Sequence, residues 1–148
     1  MTSGFDANRH MGFKIRTLTK NTMLCEKASV ADSFWKRAKG LMFRKGWEDF
    51  DGLLLAPCRS IHTFGMCMEI DVCFLDPEHT IMKSLDALGP WRSAQGGRRS
   101  HATLELPAGT LARTGTGTGD RLVLERDEHG HTPTGSTEST ESNEGRRC

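Results

Sequence analysis

Phe64-Gly65-Met66-Cys67-Met68-Glu69-Ile70-Asp71-Val72-Cys73-Phe74 is the stretch on which the fold class turns. Every second residue from Phe64 to Phe74 is apolar, and a period of two is that of a β-strand, whose side chains alternate between faces. The alternation predicts one continuous apolar face on a long strand or hairpin. Thr63, Gly65, Cys67, Glu69, Asp71 and Cys73 fall on the other side, a mixture able to line a cleft.

Outward from this stretch, short apolar runs are separated by Gly, Pro and Asp, the punctuation of β structure. Strands are expected at Phe13–Leu18, Thr22–Glu26, Gly52–Ala56, Ile70–Leu75, Thr80–Leu85, Ala102–Leu106 and Arg121–Glu125. The prediction is a mainly β, single-domain barrel or sandwich of about seven short strands with one or two short helices. Ala31–Met42 is the exception, because Ala31, Phe34, Trp35, Ala38, Leu41 and Met42 recur at helical spacing. Asp32 or Ser33 can cap that helix and Gly40 can close it. Gly115-Thr116-Gly117-Thr118-Gly119-Asp120 resembles a phosphate loop only in glycine content; no Lys-Ser/Thr follows and a strand comes next, so it reads as a turn launching the last strand.

Residues 127–148 contain no aliphatic or aromatic residue and cannot offset the entropy of ordering. The expected organisation is a loose N-terminus over 1–12, one β domain over 13–126 and a disordered polar tail over 127–148. Lys+Arg number 20 and Asp+Glu 19, a formal charge of +1. That balance gives no global argument for nucleic acid or an anionic membrane, and neither is expected as a partner. The residues before Lys14 lack the apolar stretch of a signal peptide, and no apolar run approaches a membrane span, so a cytoplasmic monomer is expected. Five irregularly spaced cysteines do not make a disulfide scaffold and read as reduced thiols.

Cys58 and His62 suggest a nucleophile and base, since a nearby imidazole can generate the thiolate. Along a strand their spacing separates them by ~13 Å, and only a turn at Arg59-Ser60 would join them. Cys58 and His62 are also the residues that would hold a metal if one bound, but no Cys-x-x-Cys or paired histidines accompany them. No cofactor is expected. Asp71, Glu105 and Asp120 sit among apolar neighbours, with Arg44, Arg59 or Arg92 as conceivable partners. Alternation makes simple exposure of Glu105 an equally good account. Trp91 with Arg92, Arg98 and Arg99 could rim a site for an anionic or sugar-like ligand; a tryptophan plugging the barrel end is the simpler reading.

Ala38-Lys39-Gly40-Leu41-Met42-Phe43-Arg44, Asp51 to Cys58, Ser60 to Met66, Ile70 to Asp76, Pro90-Trp91-Arg92, Leu104 to Gly109 and Gly119-Asp120 occur in this order. The ordered set, from about Lys14 to Arg126, resembles the prokaryotic domain-of-unknown-function family 192. The resemblance implies a compact, mainly β domain with a short helix and carries no settled activity. Cys67 and Glu69 stand where the family pattern often has a basic residue and a proline, and Cys73 where it often has an aliphatic one. The functional expectation is a ligand- or partner-binding domain rather than an enzyme, with a cleft drawn from Cys58, His62, Thr63, Met66, Asp71, Arg44, Trp91 and Glu105. The alternatives are a thiol- or metal-dependent hydrolase using Cys58, His62 and Asp71, and an interaction module presenting Phe43, Trp47 and Phe50.

Overall fold

The computed structural model describes residues 12–31, 46–47 and 50–126. Among these residues nine strands and a short helix follow one another: β1 (Phe13–Thr17), β2 (Met23–Ala31), β3 (Gly52–Leu55), β4 (Ser60–His62), β5 (Ile70–Leu75), β6 (Ile81–Leu88), β7 (Ser93–Gln95), β8 (Ala102–Pro107), α1 (Thr110–Thr114) and β9 (Leu122–Arg126). Seven of them form a sheet in the order β6-β5-β8-β3-β2-β1-β9, curled into a half-barrel, and β4 pairs with β7 in a small second sheet. All pairings are antiparallel except β2 with β3. The seven expected strands are the seven of the large sheet. The helix expected over Ala31–Met42 lies outside the described residues except for Ala31, the last residue of β2, and so do the terminal segments beyond residues 12 and 126.

The expected long strand does not extend as far back as Phe64. A turn occupies Phe64-Gly65, closed by the Met66 amide donating to the Thr63 carbonyl at 3.1 Å, and the strand begins only at Ile70. Gly65, at φ 79°, supplies the left-handed backbone that this reversal needs. Met66 still joins the core ahead of the strand, whereas Phe64 turns outward.

β3 and β5 are buried at every residue, and β8 at every residue but its last. Both faces of the middle of the sheet are therefore covered. On one face Leu54, Cys73, Leu75, Leu104 and Leu106 pack with Ile15 and with Leu111 of α1. On the other, Leu53, Leu55, Ile70, Val72 and Phe74 pack with Ile61 of β4 and Met66, while Ala94 of β7 and the half-buried Trp47 and Phe50 lie against them. The small sheet is seated on this second face at very close range. A Cβ on Gly96, which follows β7, would stand 2.5 Å from the Phe74 ring.

Asp71 faces the first layer, where its oxygens accept the amides of Ala87 and Leu111, each at 2.8 Å. It thereby clamps the end of β6 and the start of α1. Glu105 pairs in register with Leu53 and Val72 and so faces the second layer, where it is only 6% exposed. Burial alone pushes its carboxyl up from the ordinary 4.5 to about 8. The alternation in Leu104-Glu105-Leu106 separates the two faces but does not make Glu105 exposed, because its own face is covered as well.

The two edge strands are tied together at one end. Thr80 bridges Arg121, the Ile81 and Gly119 amides donate to the carbonyls of Asp120 and Ile81, and Leu122 donates to His79. The glycine-rich turn makes this corner. Desolvation would raise the Asp120 carboxyl, but the Gly117 amide, the Thr19 hydroxyl and the Lys20 ammonium outweigh it and hold the carboxyl below its usual range. No helix among the described residues is long and apolar enough to cross a membrane.

Two predictions follow from this packing. Below pH ~4.5 Glu105 is protonated in both the folded and the unfolded chain; above it the unfolded chain releases the proton while the folded one keeps it to about 8. Its contribution to stability is therefore lost as pH rises through this window. Glu105→Gln should flatten that limb and gain roughly 2–4 kcal/mol over wild type above pH 8, read from urea midpoints; parallel profiles for the two proteins would refute it. Gly96→Ala should cost about 1–3 kcal/mol, because a methyl group must displace the Phe74 ring. An unchanged thermal midpoint would mean that the small sheet lifts away freely.

Candidate functional site

Outside the buried middle of the sheet, two of the exposed large hydrophobic residues, Phe64 and Trp91, lie on the segments that flank the small sheet. Thr63, directly after β4, is fully buried and binds both neighbouring segments together. Its amide donates to the Arg92 carbonyl at 2.7 Å, and its carbonyl accepts the Trp91 amide at 3.0 Å. Its hydroxyl donates to the Gly89 carbonyl at 2.7 Å and accepts the Arg92 amide at 2.8 Å. These bonds hold Trp91 at φ 61°, a left-handed conformation uncommon for a bulky residue.

The result is an ordered stack of exposed rings. Phe64 and Trp91 lie nearly parallel at 24° with centroids 5.7 Å apart, and His62 tilts onto Phe64 at 5.1 Å. Phe64 is 46% exposed and Trp91 69%. Trp91 thus does not plug the barrel end. The positive φ and the Thr63 bonds turn its ring outward.

Seven of the eight residues named for a cleft are described, and they are distributed over three places. His62, Thr63 and Trp91 come together in the stack and its support. Cys58 and Met66 pack on the second face of the large sheet, the Cys58 thiol donating to the Ser60 carbonyl at 3.1 Å, and Glu105 shares that face. Asp71 lies across the sheet from Glu105 with both oxygens occupied, so the Cys58–His62–Asp71 trio is not assembled. Arg44 lies outside the described residues, as does Phe43. None of the three carboxylates takes Arg59 or Arg92 as a partner.

Burial, with smaller contributions from neighbouring carboxylates, pushes the Cys25 and Cys73 thiols up to about 12, and both stay free and unreactive at neutral pH. Cys58 is likewise free. Among the described residues no three His, Cys, Asp or Glu side chains are grouped so as to hold a metal ion. On the second face the Trp47 indole N–H is buried without a hydrogen-bond partner, while its ring meets Phe50 edge-on at 5.6 Å. A cavity of about 440 Å³ lies between Leu24, Asp51 and the Pro107–Arg113 turn. Asp51 is occupied there by the Glu26 and Lys27 amides, and Thr110 by the Pro107 carbonyl, leaving few polar groups to receive a ligand.

Phe64 was missed because its place in the alternation assigned it to the core. The signal that could have found it is Gly65, which breaks a strand where a continuous one was inferred.

The chain is 35% identical over 107 residues to a UPF0127 protein of Pyrococcus horikoshii, covering 70% of this chain and 92% of the relative. A UPF0127 protein of Pyrococcus furiosus is 33% identical over 112 residues, covering 74% and 96%. Among solved structures, a protein of unknown function from Novosphingobium aromaticivorans superposes with a TM-score of 0.67 at 19% identity, over 83% of this chain and 91% of that one. A Sinorhizobium meliloti protein does so with a TM-score of 0.68 at 21% identity, over 82% and 98%. These structural likenesses show the fold alone. The model of DUF192, described as "Uncharacterized ACR", matches residues 15–124, which span all but the outermost residues of the half-barrel, and the chain belongs to that family.

Proposed function

We propose that this protein is a binding domain and that its recognition surface is the ring stack on the small sheet. The observation that carries this reading is the Phe64–Trp91 pair, two large aromatics stacked and exposed in a fixed geometry. Water-exposed apolar rings gain free energy when covered, and ordering them beforehand removes part of the entropic cost of binding. Thr63 provides that ordering. The thiol or metal hydrolase alternative draws no support from the arrangement, since its three residues are dispersed. The interaction module loses its exposed patch in Trp47 and Phe50, which pack against the second face.

Ligand-observed NMR with a library of small aromatic, anionic and sugar-like compounds should give binders to the wild type that Trp91→Ala loses while its thermal midpoint stays within about 2 °C, as expected of an exposed side chain. Binders unaffected by Trp91→Ala would move the site elsewhere and overturn the reading. Thr63→Val should cost about 1–3 kcal/mol, because it strands the Gly89 carbonyl and the Arg92 amide, and it should also weaken the same binders.

A further inference from the structure

The near-neutral total charge conceals a local excess of cations on the small sheet that carries the rings, with Arg92 at the ring end and Arg59, Arg98 and Arg99 at the other. Residues 58–66 and 89–101, which contain both strands of the small sheet, hold Arg59, Arg92, Arg98 and Arg99 and no aspartate or glutamate. All four arginines are exposed, and none forms an ion pair with a described residue. Arg92 adjoins Trp91 in sequence, and Arg59 is held beside β7 by its carbonyl, which accepts the Gly96 amide at 2.8 Å. Arg98 and Arg99 form the turn just beyond, closed by the Ser100 amide on the Gly97 carbonyl. Stacked rings on a sheet that also carries unpaired guanidinium groups match one ligand chemistry closely. A nucleobase offers a π-face to a ring, and the phosphate joined to it offers oxygens to arginine. A neutral sugar would leave the arginines unused, and a simple anion would leave the rings uncovered.

We infer that the small sheet binds nucleotide units, with a base stacked on the exposed Trp91–Phe64 pair beside Arg92 and, where the ligand is a strand, its further phosphates on Arg59, Arg98 and Arg99 at the opposite end of the sheet. This inference rests on the proposed binding role and names its ligand class. The ring stack is open on the outer side of Trp91, so a strand can cross it as readily as a free nucleotide can dock. The rings do not distinguish bases by hydrogen bonding, and little sequence preference is expected.

The test is fluorescence polarisation of a labelled short single-stranded oligonucleotide, with AMP titrated by NMR, both at about 50 mM salt where phosphate contacts are strong. The wild type should bind. Trp91→Ala should weaken binding by about tenfold or more, and Trp91→Phe should recover much of the loss. The pair of changes Arg98→Ser and Arg99→Ser should lower the slope of log K against log salt by about 0.7 for each phosphate contact removed. AMP binding as tight as the oligonucleotide would identify a free nucleotide as the source, and a clear preference for the oligonucleotide a strand; either supports the inference. Binding that heparin competes for and Trp91→Ala leaves unchanged would be bare charge attraction and would overturn it. Absence of binding to both probes would also overturn it, and the binding role would survive only if other compounds from the NMR library still depended on Trp91.

Discussion

Burial of both faces in the middle of the large sheet is the constraint from which the other features follow. Antiparallel sheets commonly leave one face to water, but β5, β8 and β3 have layers on both sides, so any polar side chain there must be neutralised in place. The two acidic residues solve this differently. Asp71 takes two backbone amides that the end of β6 and the start of α1 would otherwise leave unpaired, whereas Glu105 keeps its proton. Cys73, in the same strand as Asp71, is silenced by burial. Chemistry with a solvent-borne molecule is thereby displaced to the rim.

At the rim the small sheet has a different balance of forces. It is only two three-residue strands wide, too little to stand alone in water, and it borrows stability from the packing of its Ile61 and Ala94 with Phe74 beneath them. Thr63 then converts that seat into a fixed direction for Trp91. Without the threonine's four bonds, a tryptophan with positive φ would relax to a commoner backbone, and the stack with Phe64 would come apart. Rigidity on the outside is thus inherited from packing on the inside.

Much of the architecture was legible in the residue pattern, and the reasons for the omissions are physical. The seven long strands announce themselves by apolar runs between Gly, Pro and Asp, whereas β4 and β7, with three residues each, offer too few positions for a period of two to emerge. α1 is a five-residue helix for which periodicity has no room either. Alternation put Glu105 on the face opposite Leu104 and Leu106 but could not say that both faces were dry, since that depends on what other elements lie above them. Trp91 was misread because a large apolar ring is usually covered, and only the backbone conformation imposed by a residue 28 positions away turns it outward. The candidate site, in consequence, was named in fragments: His62, Thr63 and Trp91 were among the expected residues, but Phe64 and the unpaired character of the arginines required the third dimension.

The sheet order carries a consequence for the time course of folding. β1 is the first strand and β9 the last, yet they pair in register from Phe13 with Arg126 to Thr17 with Leu122, and the corner joining β6 to β9 likewise waits for residues 119–122. During synthesis the half-barrel can be assembled only up to an exposed β1 edge until the final strand leaves the ribosome. Those non-local pairings make closure slow and leave an unpaired strand edge available to other chains in the interval. A nascent chain stalled before Leu122 would therefore be the form of this protein most prone to aggregate, and a chaperone that shields β1 would act at the step where it is most needed.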